Sequence, residues 1–125
     1  MPFVNDDTIA NAESLLRRVP GRWWVYDDNL GRRRPTTAAF DDIEMSVALE
    51  TTLRARGYPP TAVLNSHEGF GLVSITAGLA REHGQAVARD PLPDDPAHAI
   101  VYGRKTDAAR KRFSRECVCI VDPAA

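Results

Sequence analysis

His98 stands at the head of the apolar run Ala99-Ile100-Val101-Tyr102, directly behind Asp94, Asp95 and Pro96. An imidazole titrates near neutral pH, and a carboxylate that orients its ring makes it a general acid or base. The spacing makes His98 a candidate for that role, with Asp94 or Asp95 to orient its ring and Asp95 as the first choice. The plainer alternative makes His98 a strand cap and Asp94-Asp95-Pro96 simple turn chemistry.

The same run ends in Gly103-Arg104-Lys105-Thr106, which is predicted to open a helix. Unpaired N–H groups at a helix start attract anions, and two cations add to that field. Arg104, Lys105 and Thr106 are therefore candidate anion-binding residues. A complete phosphate-binding loop needs a glycine five positions before Gly103, where the chain has His98, so no nucleotide site is assigned. Arg32 and Arg34, beside the hydroxyls of Thr36 and Thr37, are a second anion clamp, with pairing to Asp27 and Asp28 as the alternative. Trp23, Arg110 and Arg112 are candidate partner contacts, because exposed Trp and Arg anchor protein interfaces. The cations Arg104 to Arg115 also offer RNA a docking patch, against the simpler reading of a solvated helix face.

His67-Glu68, His83 and His98 match no metal-ligand spacing, and no metal or other cofactor is expected. Cys117 and Cys119 are two apart on a predicted strand, a poor geometry for a disulfide, and read as small apolar side chains in a reducing cytosol.

These residues need a scaffold. Asn5-Asp6-Asp7-Thr8 caps a predicted helix over about 7–18, with Ile9, Ala12, Leu15, Leu16 and Val19 as its stripe. Trp23 to Tyr26 is a predicted strand and Asp27 to Gly31 a turn. Arg32 to Phe40 passes from loop to extended chain. Glu44 to Val47 leads into a second predicted helix over about 47–56, stopped by Gly57-Tyr58-Pro59-Pro60. A helical turn follows at 61–65, then a strand from Phe70 to Thr76 and a short helix from Ala77 to His83. Further strands cover Gln85 to Arg89 and His98 to Tyr102. Thr106 caps a helix to about Glu116, and Cys117 to Val121 closes the chain. The order predicts an α+β fold: one domain over 1–125, a mixed sheet of about four to six strands, and about three to four helices.

With 125 residues, 43% hydrophobic and 26% charged, the chain suits one globular domain with a real core. A formal net charge of −1 argues against a surface built wholly for nucleic acid. Only Lys105 and Lys111 are lysine among the sixteen Lys and Arg residues, a bias that fits a GC-rich genome. No basic segment followed by an apolar stretch opens the chain, and no run approaches the roughly 20 apolar residues of a membrane span. A cytoplasmic protein without membrane attachment is expected, with a homo-oligomer left open.

Two resemblances attach to these residues. His98-Ala99-Ile100-Val101-Tyr102-Gly103 is similar to the histidine strand of papain-like cell-wall peptidases and their acyltransferase relatives. That family uses a helix-start cysteine, and both cysteines here fall at the last strand, so its activity is not carried over. More broadly, the chain resembles small bacterial proteins of no established activity. They share Arg34-Pro35-Thr36-Thr37-x-x-Phe40, Met45-Ser46-Val47, Gly71-Leu72-Val73 and Asp95-Pro96-x-His98-Ala99, a likeness spanning most of 15–121. It implies a standalone bacterial protein. The leading expectation is a small binding module that contacts a protein partner. The alternatives are an enzyme acting on an anionic phosphate- or carboxylate-bearing substrate with His98 as acid/base, and an RNA-contacting regulator using 104–115.

Overall fold

A computed structural model describes residues 3–124 and is α+β, as expected. Its centre is a six-stranded sheet in the order β6-β7-β4-β1-β5-β8. These strands are β1 (Ser14–Pro20), β4 (Glu44–Leu49), β5 (Phe70–Thr76), β6 (Ala86–Arg89), β7 (His98–Tyr102) and β8 (Val118–Val121). β2 (Trp24–Asp27) and β3 (Arg32–Pro35) form a separate hairpin. The α-helices are α1 (Glu50–Ala55), α2 (Ala77–Glu82) and α3 (Asp107–Glu116). Every strand pairing among the described residues is antiparallel, so the sheet has the expected number of strands but is not mixed in direction.

One predicted helix is absent and a second begins later than expected. The first, over 7–18, is replaced by turns and then β1, a central strand. Leu15, Leu16 and Val19 satisfy a helical stripe. A strand covered on both faces shows such a dense apolar run as well. Leu15 and Val19 pack on one face of the sheet, and Leu16 on the other. The second helix starts at Glu50 rather than 47, because Met45, Val47 and Leu49 alternate into the core as β4 residues do. That shift puts Ser46 on a strand, pointing to the opposite face. Trp23 ends a single 3-10 turn, so the strand expected from Trp23 begins at Trp24.

The two faces of the sheet are unequal. One carries the larger core, built from β-strand residues, Ala77 and Ala80 of α2, Ala109 and Phe113 of α3, and Phe40. Phe40 and Phe113 meet edge to face with centroids 6.0 Å apart. The other face has a smaller cluster of Leu16, Ala48, Leu53, Leu72 and Ala97, with Val63 and Leu64 of the 3-10 segment Pro60–Leu64 against it. α1 and that segment cover only part of this face, and a cleft stays open beside them.

Candidate functional site

The cleft has a volume of about 840 Å3. Its floor is the open sheet face, with Leu16 and Arg18 of β1, Ser46 and Ala48 of β4, and His98 of β7. Its walls come from α1, the Tyr58 to His67 segment, Trp23, Phe70 and the Asp94–Pro96 turn. That size and mixture of apolar and polar walls is what a small-molecule site requires.

Strand register brings the polar floor residues together. In the β4–β7 ladder Ala48 lies opposite His98 and Ser46 opposite Ile100. His98 is therefore diagonal to Ser46 on one face, within reach of a ring. Its Nε2 is 3.1 Å from Ser46 Oγ. On the other side of the ring, Nδ1 lies 2.9 Å from the Asp90 carbonyl oxygen and 3.2 Å from Asp90 Oδ2. A carbonyl can only accept, so Nδ1 carries the proton of the neutral ring and Nε2 is left as the acceptor for the Ser46 hydroxyl. The result is a Ser46–His98–Asp90 relay with its hydroxyl end on the cleft. The His98 side chain is 14% exposed, which keeps the ring held while one edge reaches solvent.

The orienting carboxylate differs from the expected Asp95. Asp95 closes the loop before β7 through its backbone: its carbonyl accepts from the N–H groups of Leu92 and His98, and its own N–H donates to Leu92. Its side chain lines the cleft wall without holding the imidazole. Asp90 takes the part because the Asp90 N–H donates to the His98 carbonyl at 3.0 Å, which fixes the two residues side by side. Ser46 was missed because its role depends on pairing between β4 and β7, not on its local neighbours.

Ser46 also sits where the sheet splits. β1 and β4 pair only at Leu15↔Leu49 and Leu16↔Ala48. Beyond that point Arg17 fills the gap, donating from Nη1 to the Ser46 carbonyl (2.9 Å) and from Nε to the Ala39 carbonyl (3.1 Å), with Asp42 at 3.1 Å from Nη2. A fixed guanidinium thus holds the strand that carries the hydroxyl. The rest of the cleft sets arginines and aromatic rings against the carboxylates of Asp94 and Asp95 on the turn. Arg18 Nη1 donates to the Val63 carbonyl at 3.1 Å, and Arg56 has no ion pair among the described residues. His67 Nδ1 is anchored by the Asn65 carbonyl at 2.9 Å, and its ring stands edge-on to Phe70.

The remaining sequence-derived candidates lie elsewhere and are committed to structure. Lys105 is 3% exposed and turns inward. Its Nζ donates to the carbonyls of Val101 (2.9 Å), Gly103 (2.9 Å) and Ile43 (3.3 Å), which uses all three protons. Burial pushes its ammonium down to about 8, with the nearby Asp42 and Asp41 opposing that shift. Thr106 caps α3 by accepting from the Ala109 N–H at 3.2 Å. Arg104 points to solvent, and its carbonyl accepts from Gln85.

Arg32 donates to the Arg115 carbonyl at 2.7 Å, and Arg34 pairs with Asp27 at 2.6 Å and donates to Ser114 Oγ at 2.8 Å. These two arginines dock the β2–β3 hairpin onto α3 instead of forming an open clamp. The Arg34 guanidinium holds the Asp27 carboxyl below its ordinary 3.8. Arg110 is paired with Asp41 and Asp107, and Arg112 with Glu82 and Glu116. Trp23 is half-buried at the cleft rim with the Arg22 guanidinium 5.2 Å above its ring. Burial raises the Cys117 thiol to about 11, while Cys119 is exposed. Among the described residues, no group of three His, Cys, Asp or Glu side chains could hold a metal ion. Among the same residues, no helix is long and apolar enough to cross a membrane.

Comparison of the chain with protein-family models, curated proteins and solved structures returns no match.

Proposed function

We propose that the protein is a small enzyme that binds an anionic substrate in the open cleft and uses His98 as its general base. One observation carries this reading: the Ser46–His98–Asp90 relay ends on a cleft of substrate size. A base needs a hydroxyl within hydrogen-bond reach and a partner that fixes its tautomer, and His98 has both. Arg18 and Arg56 supply positive charge on the same cleft. A cytosolic setting goes with two unbridged cysteines. In the resemblance to small bacterial proteins, Met45-Ser46-Val47 and Asp95-Pro96-x-His98-Ala99 are the blocks that carry Ser46 and His98.

The reading is tested by following the His98 ring resonances while a panel of small phosphate and carboxylate esters is added. At least one anionic compound is expected to shift them and raise the melting temperature, and Arg18→Gln with Arg56→Gln should abolish both effects. A ring indifferent to the whole panel would contradict it.

A second reading, contact with a protein partner, rests on a different place. The hairpin leaves Val25, Tyr26 and Leu30 exposed, with Tyr26 at 62%. Tyrosine on an exposed patch is a common interface anchor. Tyr26→Ser would remove such a contact and leave the cleft untouched.

A further inference from the structure

We infer that Ser46 is a nucleophile and that the cleft cleaves carboxylic esters through an acyl-Ser46 intermediate. This deepens the general-base reading, on which it rests, by giving the base its proton source and the substrate its chemical class. The Ser46 hydroxyl has one hydrogen-bond partner among the described residues, the His98 Nε2 lone pair at 3.1 Å. A serine oxygen is a weak nucleophile until an adjacent base accepts its proton, and a third group that orients the base completes the arrangement. Asp90 is that third group, a positioning residue that acts through the ring. The oxygen is also mounted rigidly, on a strand whose carbonyl at the same residue is held by Arg17.

The step balances without a co-reactant other than water. The Ser46 Oγ–C bond forms as the hydroxyl proton passes to His98 Nε2. The bond from that carbon to the leaving oxygen then breaks, and the imidazolium gives its proton to the departing alcohol. Water attacks the acyl-serine, its proton passing through His98 to Ser46 Oγ, and the carboxylic acid is released.

The cleft suggests which ester. Leu16 and Ala48 on the floor and Leu53 and Val63 on the wall form an apolar surface that suits a short acyl chain. Arg18 is the next residue on the same face of β1 after Leu16, which pairs with Ala48. With one N–H group committed to Val63, Arg18 keeps further donors on the same cleft, and these take the carbonyl oxygen as it becomes negative. Arg56, at the end of α1, is left for an anionic group on the alcohol side.

Incubating the protein with a fluorophosphonate tests this directly, since Ser46 Oγ would bond to phosphorus as fluoride leaves. Intact-mass analysis should show one adduct, mapped to the peptide containing Ser46. It should be absent in Ser46→Ala and form at least 100-fold more slowly in His98→Gln, with both variants still unfolding cooperatively. p-Nitrophenyl acetate and butyrate should be hydrolysed with the same dependence. No adduct in the wild type, an adduct on another residue, or one that survives Ser46→Ala overturns the proposal. Should Ser46 prove inert while anionic ligands still shift the His98 ring, the nucleophile falls and the general-base reading stands. A ring that also ignores those ligands removes both.

Discussion

The two faces of the central sheet use charged side chains in opposite ways. On the packed side and its rim, nearly every long cation is spent on the protein itself. Lys105 is locked onto three carbonyls, Arg17 bridges the split between β1 and β4, and Arg34, Arg110 and Arg112 are ion-paired. On the open side, a hydroxyl, an imidazole and two arginines border empty space. Cation density along the chain is therefore a poor guide to chemistry in this protein. The segment from His98 to Thr106 shows both uses within nine residues: its histidine end faces the cleft, and its Lys105-Thr106 end builds the fold.

Substitutions can break that contrast, and the largest effects belong on the packed side. Arg17→Met should cost about 2–4 kcal/mol in denaturant unfolding, since it strips the donors from the Ser46 and Ala39 carbonyls. A cost below about 1 kcal/mol would show that the sheet closes the gap without it. Lys105→Met should cost about 2–3 kcal/mol by leaving three carbonyls without a donor.

Lys105 also has a signature in pH. Its folded value of about 8 lies below its ordinary 10.5, so between those values the unfolded chain binds more protons. Stability from this group then rises with pH across that window, and the rise should be missing in Lys105→Met. At the hairpin the slope has the same sign, in an acid window. Asp27 is held below its ordinary 3.8 chiefly by Arg34, so its contribution is complete above that pH and is lost as pH falls through the lower folded value. Asp27→Asn should lower the melting temperature at neutral pH and flatten its fall in acid.

Much of this scaffold was legible from local chemistry. The His98–Tyr102 strand, the Thr106 cap and the end of α3 at Glu116 follow from a Pro-rich loop, an apolar run, a glycine and a capping threonine, all close in sequence. The central strands were less so. The apolar positions of β1 fit a helical period as well as a strand buried on both faces, and tertiary pairing decides between them. The candidate site was half visible for the same reason. His98 announces itself by residue type and place. Asp90, eight residues back, meets it only when the loop between β6 and β7 folds over, and Ser46 only when β4 pairs with β7. Arg32 and Arg34 looked like ligand-binding cations because Arg115 and Ser114 are far away along the chain, and Lys105 because nothing in its neighbours shows that it turns back onto the Val101 and Gly103 carbonyls.

On the cleft side the expected stability effects are the smallest. Ser46→Ala gives up one hydrogen bond and should cost about 1 kcal/mol or less. Arg56→Gln, at an exposed position without an ion pair, should stay within about 0.5 kcal/mol while weakening the binding of anionic ligands. A loss at either position as large as that at Arg17 would make the cleft residues structural and erase the difference between the faces.

The relay itself is tested most directly by long-range proton–nitrogen NMR of His98 at a pH where its ring is neutral. The expected spectrum is that of the Nδ1–H tautomer, with Nε2 as the unprotonated acceptor and Ser46→Ala shifting the Nε2 resonance far more than Nδ1. A neutral ring protonated at Nε2 and unmoved by Ser46→Ala would contradict the account.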